Sequence, residues 1–315
     1  MSVSNKEARA ASVGTARHLA EHNLSDERLT EAVIASFDKT PDARTKQIVQ
    51  SLVKHLHAFA SEVELTEEEW AAGIDFLTRT GHITTDKRQE FILLSDVLGL
   101  SMLTIGINHR VPDGATESTV FGPFFVENSP QYSNGDDIAN GASGTPCYFE
   151  GKVSGVGGEP IAGANLEIWM ADDEGNYDVQ YDDLDHPQGR GHLSSAEDGR
   201  YWFWSVLPEA YPIPHDGPVG DLLKSTGRHP WRPAHIHFMI SAPGYKTCTT
   251  HVFVDGDKYL DSDAVFGVKD TLIQGFEHHE PGAAPDGTPM DGEWWSMHYD
   301  FVLAPEDGAT NGSGA

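Results

Sequence analysis

Residues 91–114 read FILLSDVLGLSMLTIGINHRVPDG, and two kinds of chain meet within them. From 91 to 107 the run is apolar on nearly every face, so a helix built from it must be covered on all sides, by other helices or by a second subunit. At Val111-Pro112-Asp113-Gly114 turn chemistry takes over, since Pro presets its φ and Gly supplies a positive one. Toward the N-terminus, Thr66 and Glu69 form a capping-box signature with Leu65 and Trp70 placed as its staple, and a helix follows through Ile74 and Leu77. Ile48, Leu52, Leu56, Phe59 and Val63 recur at helical spacing and predict one buried stripe; Leu29, Val33 and Phe37 predict another. Toward the C-terminus, strands are predicted at 147–153, 164–170, 201–207, 235–241 and 249–254, spaced as in a sandwich or barrel. The connections 171–198 and 208–233 are of a length that is usually functional. Helices segregated from strands mean an α+β fold. The expected layout is a helical region over 1–110, a mainly antiparallel β-sandwich over 111–304, and a tail over 305–315 with the composition of disordered chain.

The 315 residues carry 49 Asp and Glu against 21 Lys and Arg, a formal charge of −28. Such a field repels phosphate backbones and anionic membranes, which excludes nucleic acid as the expected partner. Two cysteines, Cys147 and Cys248, make no disulfide framework and no CxxC metal site. No run of about 18 apolar residues suggests membrane insertion, and the first 23 residues lack a signal peptide's apolar core. A cytoplasmic protein is expected.

Two His-x-His pairs occur. His55 and His57 fall on a helical stretch, where two residues turn about 200° and face apart, so they read as surface histidines. His235 and His237 lie in RPAHIHFMIS, where Ile236, Phe238 and Ile240 alternate with them, and both imidazoles project from one face of a strand. One metal could accept both, or both could be satisfied histidines on a polar sheet face. The ligands still needed could be carboxylates, which would suit zinc or iron(II), or something harder. Tyr177 in GNYD and Tyr211 in EAYPIP sit in nearby loops, either as ligands or as half-buried packing.

The run YWFWSVLPEAYPIPHDGPVGDLLKSTGRHPWRPAHIHF at 201–238 resembles the signature of the intradiol ring-cleaving dioxygenases. The likeness extends through GNYD, ISAPGYKTCTTHVFVDGDKYL and ESTVFGPFF, from about residue 45 onward. It implies one Fe(III) per subunit held by Tyr177, Tyr211, His235 and His237, a set whose phenolates and imidazoles suit a trivalent iron. It further implies that a catecholic substrate displaces Tyr211, which then accepts a substrate proton, and that O2 cleaves the bond between the hydroxylated carbons. Arg232 matches the family arginine that steadies the activated substrate, although a purely structural ion pair is the alternative.

The family's pocket positions fall on Leu93, Asp96, Val120, Phe121, Gly122, Pro123, Phe124, Ile213, Pro214 and Val265, and they resemble the hydroxyquinol-cleaving branch. His251 stands where many catechol-cleaving members have glutamine. Asp96 either offers a partner to a third ring hydroxyl or simply faces solvent. The resemblance also implies a homodimer through the N-terminal helices, in some relatives with a phospholipid at that interface. The competing readings are a catechol or chlorocatechol 1,2-dioxygenase with the same iron site, a zinc hydrolase, and a non-catalytic β-sandwich binding module.

Overall fold

The computed structural model describes residues 25–85 and 88–306. The N-terminal stretch read for a signal peptide therefore lies outside the described residues, as do positions 307–315 of the tail. The chain divides into two compact units, 1–77 and 78–315, taken in turn.

In the first unit, helices α1 (Asp26–Ser36) and α2 (Ala43–Glu62) pack together and α3 (Glu67–Ile83) begins. Asp42 caps α2 by accepting the Thr45 N–H at 2.6 Å. The capping box of α3 is closed both ways: the Thr66 N–H donates to Glu69 Oε2 at 3.0 Å, and the Glu69 N–H donates to Thr66 Oγ1 at 3.2 Å. Glu67, Glu68 and Glu69 place negative charge on the positive end of the α3 dipole. Burial departs from the expected stripe. Ile48, Leu52, Leu56, Phe59 and Val63 do share a face of α2, yet each is about half exposed in the single chain, and Trp70 is 59% exposed. A stripe at helical spacing says which face is apolar; it does not say that the same chain covers it.

The second unit holds the next correction. The apolar run at 91–107 forms two helices, α4 (Glu90–Val97) and α5 (Leu100–Asn108), bent by 79°. Gly99 lies between them at φ +72°, a left-handed conformation that ends a helix and suits a residue without Cβ. Among the described residues no single helix is long and apolar enough to cross a membrane, and only this bent pair meets that test jointly. Leu93 and Val97 of α4 are buried against Val120, Ile213, Ala264 and Val265 and against Val219 and Leu223 of α6 (Pro218–Ser225), while Leu98 and Leu103 stay exposed.

The strands are β1 (Pro146–Gly155), β2 (Asn165–Met170), β3 (Arg190–Ser194), β4 (Arg200–Val206), β5 (Tyr211–Pro212), β6 (Trp231–Arg232), β7 (His235–Ser241) and β8 (Cys248–Val254). Then come β9 (Ile273–Gln274), β10 (Phe276–His279), β11 (Gly282–Ala283), β12 (Pro289–Met290), β13 (Trp294–His298) and β14 (Phe301–Leu303). One sheet runs β3-β2-β7-β8-β9; the other runs β10-β13-β1-β14 with β4 on the free side of β1. The sandwich is mixed: β1 pairs in parallel with β13 and β14, and β8 with β9, while the remaining ladders are antiparallel. Between the sheets lie Phe149, Phe203 and Phe301 from one face and Ile168, Ile236, Phe238 and Ile240 from the other. Strand β3 and helix α6 occupy stretches read from sequence as loops; α6 begins Pro-Val-Gly and its short apolar pattern is hard to tell from loop. Pro305 and Glu306, assigned from sequence to the tail, are held by a bridge to Tyr245 and a bond to the Gly244 carbonyl.

Candidate active site

Strand register builds the imidazole cluster. His237 of β7 lies opposite Trp169 of β2 on one side and His251 of β8 on the other, so the three side chains share one sheet face. The Trp169 ring stacks on His237 at 4.7 Å and 16°. His235 Nδ1 lies 2.7 Å from the Pro233 carbonyl, so it carries the proton and donates, leaving the lone pair on Nε2. His235 Nε2 and His237 Nε2 are 3.2 Å apart. Gly122 makes room for this edge: at φ +78°, a Cβ there would stand 3.1 Å from His237 Cε1.

The two tyrosines come from loops. Tyr177 is fixed where its N–H donates to Gln180 Oε1 at 2.9 Å, and the Phe124 ring stacks on it at 4.5 Å. Its neighbour Asp178 forms a buried ion pair with Arg190, which also donates to the Phe124 carbonyl at 3.0 Å. Tyr211 sits on the two-residue strand β5, directly opposite Arg232 on β6. Gly175 passes so close that a Cβ would stand 2.9 Å from Tyr211 Cβ. The Tyr177 hydroxyl donates to Tyr211 Oη at 3.4 Å. The rings of Tyr177, Tyr211, His235 and His237 form a closed circuit, with successive centroids 5.5, 5.4, 4.8 and 5.9 Å apart.

All four are buried. Burial, followed by the Arg232 charge, pulls the His235 pKa down to about 3, and burial holds His237 and His251 well below the usual imidazole range. These rings are therefore neutral at pH 7. Burial, then the Tyr211 phenol beside it, pushes Tyr177 up. Arg232 is buried against its own charge, which Asp263 stabilises through bonds of 3.1 and 3.3 Å.

The residues fit a metal ion. His237 Nδ1 is a buried polar atom without a hydrogen-bond partner, and His235, His237 and His251 have ligand atoms within 4.8 Å of one another. His251 is already engaged, with Nδ1 on the Thr119 hydroxyl and Nε2 at 3.5 Å from Arg232 Nη1. The phenols of Tyr177 and Tyr211 bring oxygen donors to the same ring circuit.

Beside the ring circuit, a cavity of about 220 Å³ is lined by Leu93, Asp96, Pro123, Phe124 and Pro214, with Arg88, Gln89, Glu90 and Ile92 completing it. Five of the positions expected to form a pocket thus meet in one. Val120, Ile213 and Val265 lie behind it, packed on Leu93. Phe121 is 40% exposed and turns to Phe125 and Trp169, and Gly122 and His251 belong to the imidazole cluster. Asp263, Asp178, Arg190, Trp169 and Thr119 were not legible as site residues, because each acts across the fold on a residue far away in sequence.

The fold and site thus define a two-sheet sandwich with a buried histidine and tyrosine centre beside a small, largely apolar cavity. Two family patterns match the chain: "Dioxygenase" over residues 120–305 and "Catechol dioxygenase N terminus" over 42–116. The 6-chlorohydroxyquinol 1,2-dioxygenase of Cupriavidus pinatubonensis is 60% identical over 90% of this chain and 98% of its own. The hydroxyquinol 1,2-dioxygenase of Nocardioides simplex is 55% identical over 91% and 98%. The solved hydroxyquinol 1,2-dioxygenase of Pseudomonas putida DLL-E4 superposes with a TM-score of 0.83 at 48% identity, covering 89% of this chain and 99% of that one. The chain belongs to the intradiol ring-cleaving dioxygenase family and is an enzyme. Family and imidazole group together indicate a non-haem iron.

Proposed function

We propose that the enzyme cleaves hydroxyquinol (benzene-1,2,4-triol) between its adjacent hydroxylated carbons with O2, giving 3-hydroxy-cis,cis-muconate, equivalently maleylacetate. The observation that carries the choice of substrate is Asp96: a carboxyl only 7% exposed, on the wall of a largely apolar cavity next to the ring circuit, beside Leu93, Pro123, Phe124 and Pro214. Burial pushes its pKa up, against the opposing influence of the Ser101 hydroxyl and the Arg232 charge. A ring hydroxyl donating to Asp96 would offset part of that burial, and catechol has none to place there.

Tyr177, Tyr211, His235 and His237 would hold one Fe(III) per subunit, and the iron, when bound, supplies Lewis-acid activation of the catechol toward O2. The neutral imidazoles hold no proton on the inward nitrogen of His235, so they are ready as ligands. Tyr177 is clamped by the Phe124 stack and the Asp178–Arg190 pair next to it. Tyr211 rests on a two-residue strand and would be the iron-holding phenol whose Oη accepts a proton from the substrate. Arg232 Nη1 faces the site and stabilises negative charge developing on the substrate oxygens. Burial of the whole group excludes water.

The half-exposed apolar faces of α2 and α3 support a homodimer through the N-terminal helices, where a phospholipid chain could also lie. Two free, buried cysteines suit a reducing cytoplasm.

The test is oxygen uptake by the iron-loaded protein with hydroxyquinol, 6-chlorohydroxyquinol and catechol side by side, against a metal-stripped control that measures spontaneous oxidation. Enzyme-dependent uptake favouring the triols supports the proposal. Uptake favouring catechol keeps the iron site and removes the role of Asp96.

A further inference from the structure

Arg232 is aimed from outside the ring circuit. Its guanidinium is 3% exposed, and one edge is occupied: Nε donates to Asp263 Oδ1 at 3.1 Å and Nη2 donates to Oδ2 at 3.3 Å. That fork turns Nη1 to the site, 3.2 Å from His235 Nε2 and 3.5 Å from His251 Nε2. The same two carboxylate oxygens accept the backbone N–H groups of Val265 at 3.3 Å and Gly267 at 2.8 Å. The loop they fold is tight. Phe266 takes φ +59°, left-handed for a bulky side chain, with its ring under the Arg228 guanidinium at 4.9 Å. Gly267 leaves no room for a side chain: a Cβ there would stand 2.9 Å from Arg232 Nη2 and 3.1 Å from Asp263 Oδ2. Val265, held in this loop, is buried with Leu93 and Ile213 behind the cavity.

We propose that Asp263 is a positioning residue for ring cleavage: its carboxylate aims Arg232 Nη1 at the substrate oxygens and, through the same oxygens, sets Val265 against Leu93 behind the cavity. The inference rests on the ring-cleavage reading above. A planar guanidinium held at two nitrogens has one orientation; released from the fork it has several, and electrostatic stabilisation is lost when the donor is misplaced. A merely structural ion pair would support the fold without touching turnover.

Two variants separate these cases. Asp263→Asn keeps the size and removes one acceptor and the charge; Gly267→Ala keeps the carboxylate and pushes a methyl against Arg232 Nη2. Iron content, the visible absorption band expected of tyrosinate bound to Fe(III), kcat and KM for hydroxyquinol, and thermal melting of the metal-stripped protein are compared with wild type. The expected result is a kcat about 30- to 100-fold lower in both, with KM changed less than about threefold and the visible band retained. Adding Asp263→Asn to Arg232→Gln should lower kcat by less than about threefold further, because the lost effect runs through Arg232. Variants with near wild-type kcat, or an undiminished loss in the Arg232→Gln background, overturn the proposal. Where Asp263→Asn fails to fold or to hold iron, Gly267→Ala decides. A wild type without ring cleavage overturns the underlying reading and the proposal with it; an active wild type with active variants overturns the role of Asp263 alone.

Discussion

Asp96 and Asp263 are both buried carboxyls near Arg232, and their partners give them different work. Asp263 has a guanidinium and two backbone N–H groups, so although burial opposes its charge its pKa is lowered. Asp96 has a Ser101 hydroxyl, and burial dominates, so its pKa is raised. A group in that state gains from one more donor. Asp96→Ala should therefore lower the ratio of kcat/KM for hydroxyquinol to that for catechol by about tenfold or more, the scale of one hydrogen bond to a charged group. Initial oxygen-uptake rates on both substrates measure it, and an equal fall for both would assign Asp96 to packing. Asp96 was legible because the family resemblance places it at a pocket position. Asp263 was not: nothing in LDSDAVFG tells Asp261 from Asp263, and only the fold sets one of them against Arg232.

At the scale of elements, local signals read true where the chain satisfies them locally. The reciprocal bonds of Thr66 and Glu69 start α3 as the capping box predicts. Thr66→Ala should cost about 1 kcal/mol of stability, read as a lower denaturation midpoint at unchanged m-value. A variant as stable as wild type would mean that packing, not the cap, starts the helix. The alternation in β7 likewise put His235 and His237 on one face and Ile236, Phe238 and Ile240 in the core. The apolar run at 91–107 misled, because periodicity carries no mark of a bend; Gly99 at φ +72° was the available signal. Helix α6 was missed since eight residues are too few for a helical period to stand out.

At the scale of the molecule, the first unit presents apolar side chains that the chain itself leaves half exposed. In the homodimer proposed above, replacing Leu52 and Leu56 with Asp would place two carboxylates on that face, where like charges would meet across the two-fold axis. The variant should sediment as a monomer while the visible band of the iron site persists; a dimer unchanged in mass and affinity would place the subunit contact elsewhere. The amino-acid sequence by itself determined what is local or periodic: the α+β order, the strand that carries His235 and His237, the cap of α3, the acidic charge, and a motif long enough to name a family. The tertiary structure alone decided which groups from distant segments meet. It brought Tyr177 and Tyr211 from two loops to the β7 histidines, Leu93 and Asp96 from a helix to Pro214, and Asp263 to Arg232. The reason is physical: periodicity reports the face on which a side chain lies, whereas its partner across the core depends on register, on loop closure and on which buried polar groups must satisfy one another.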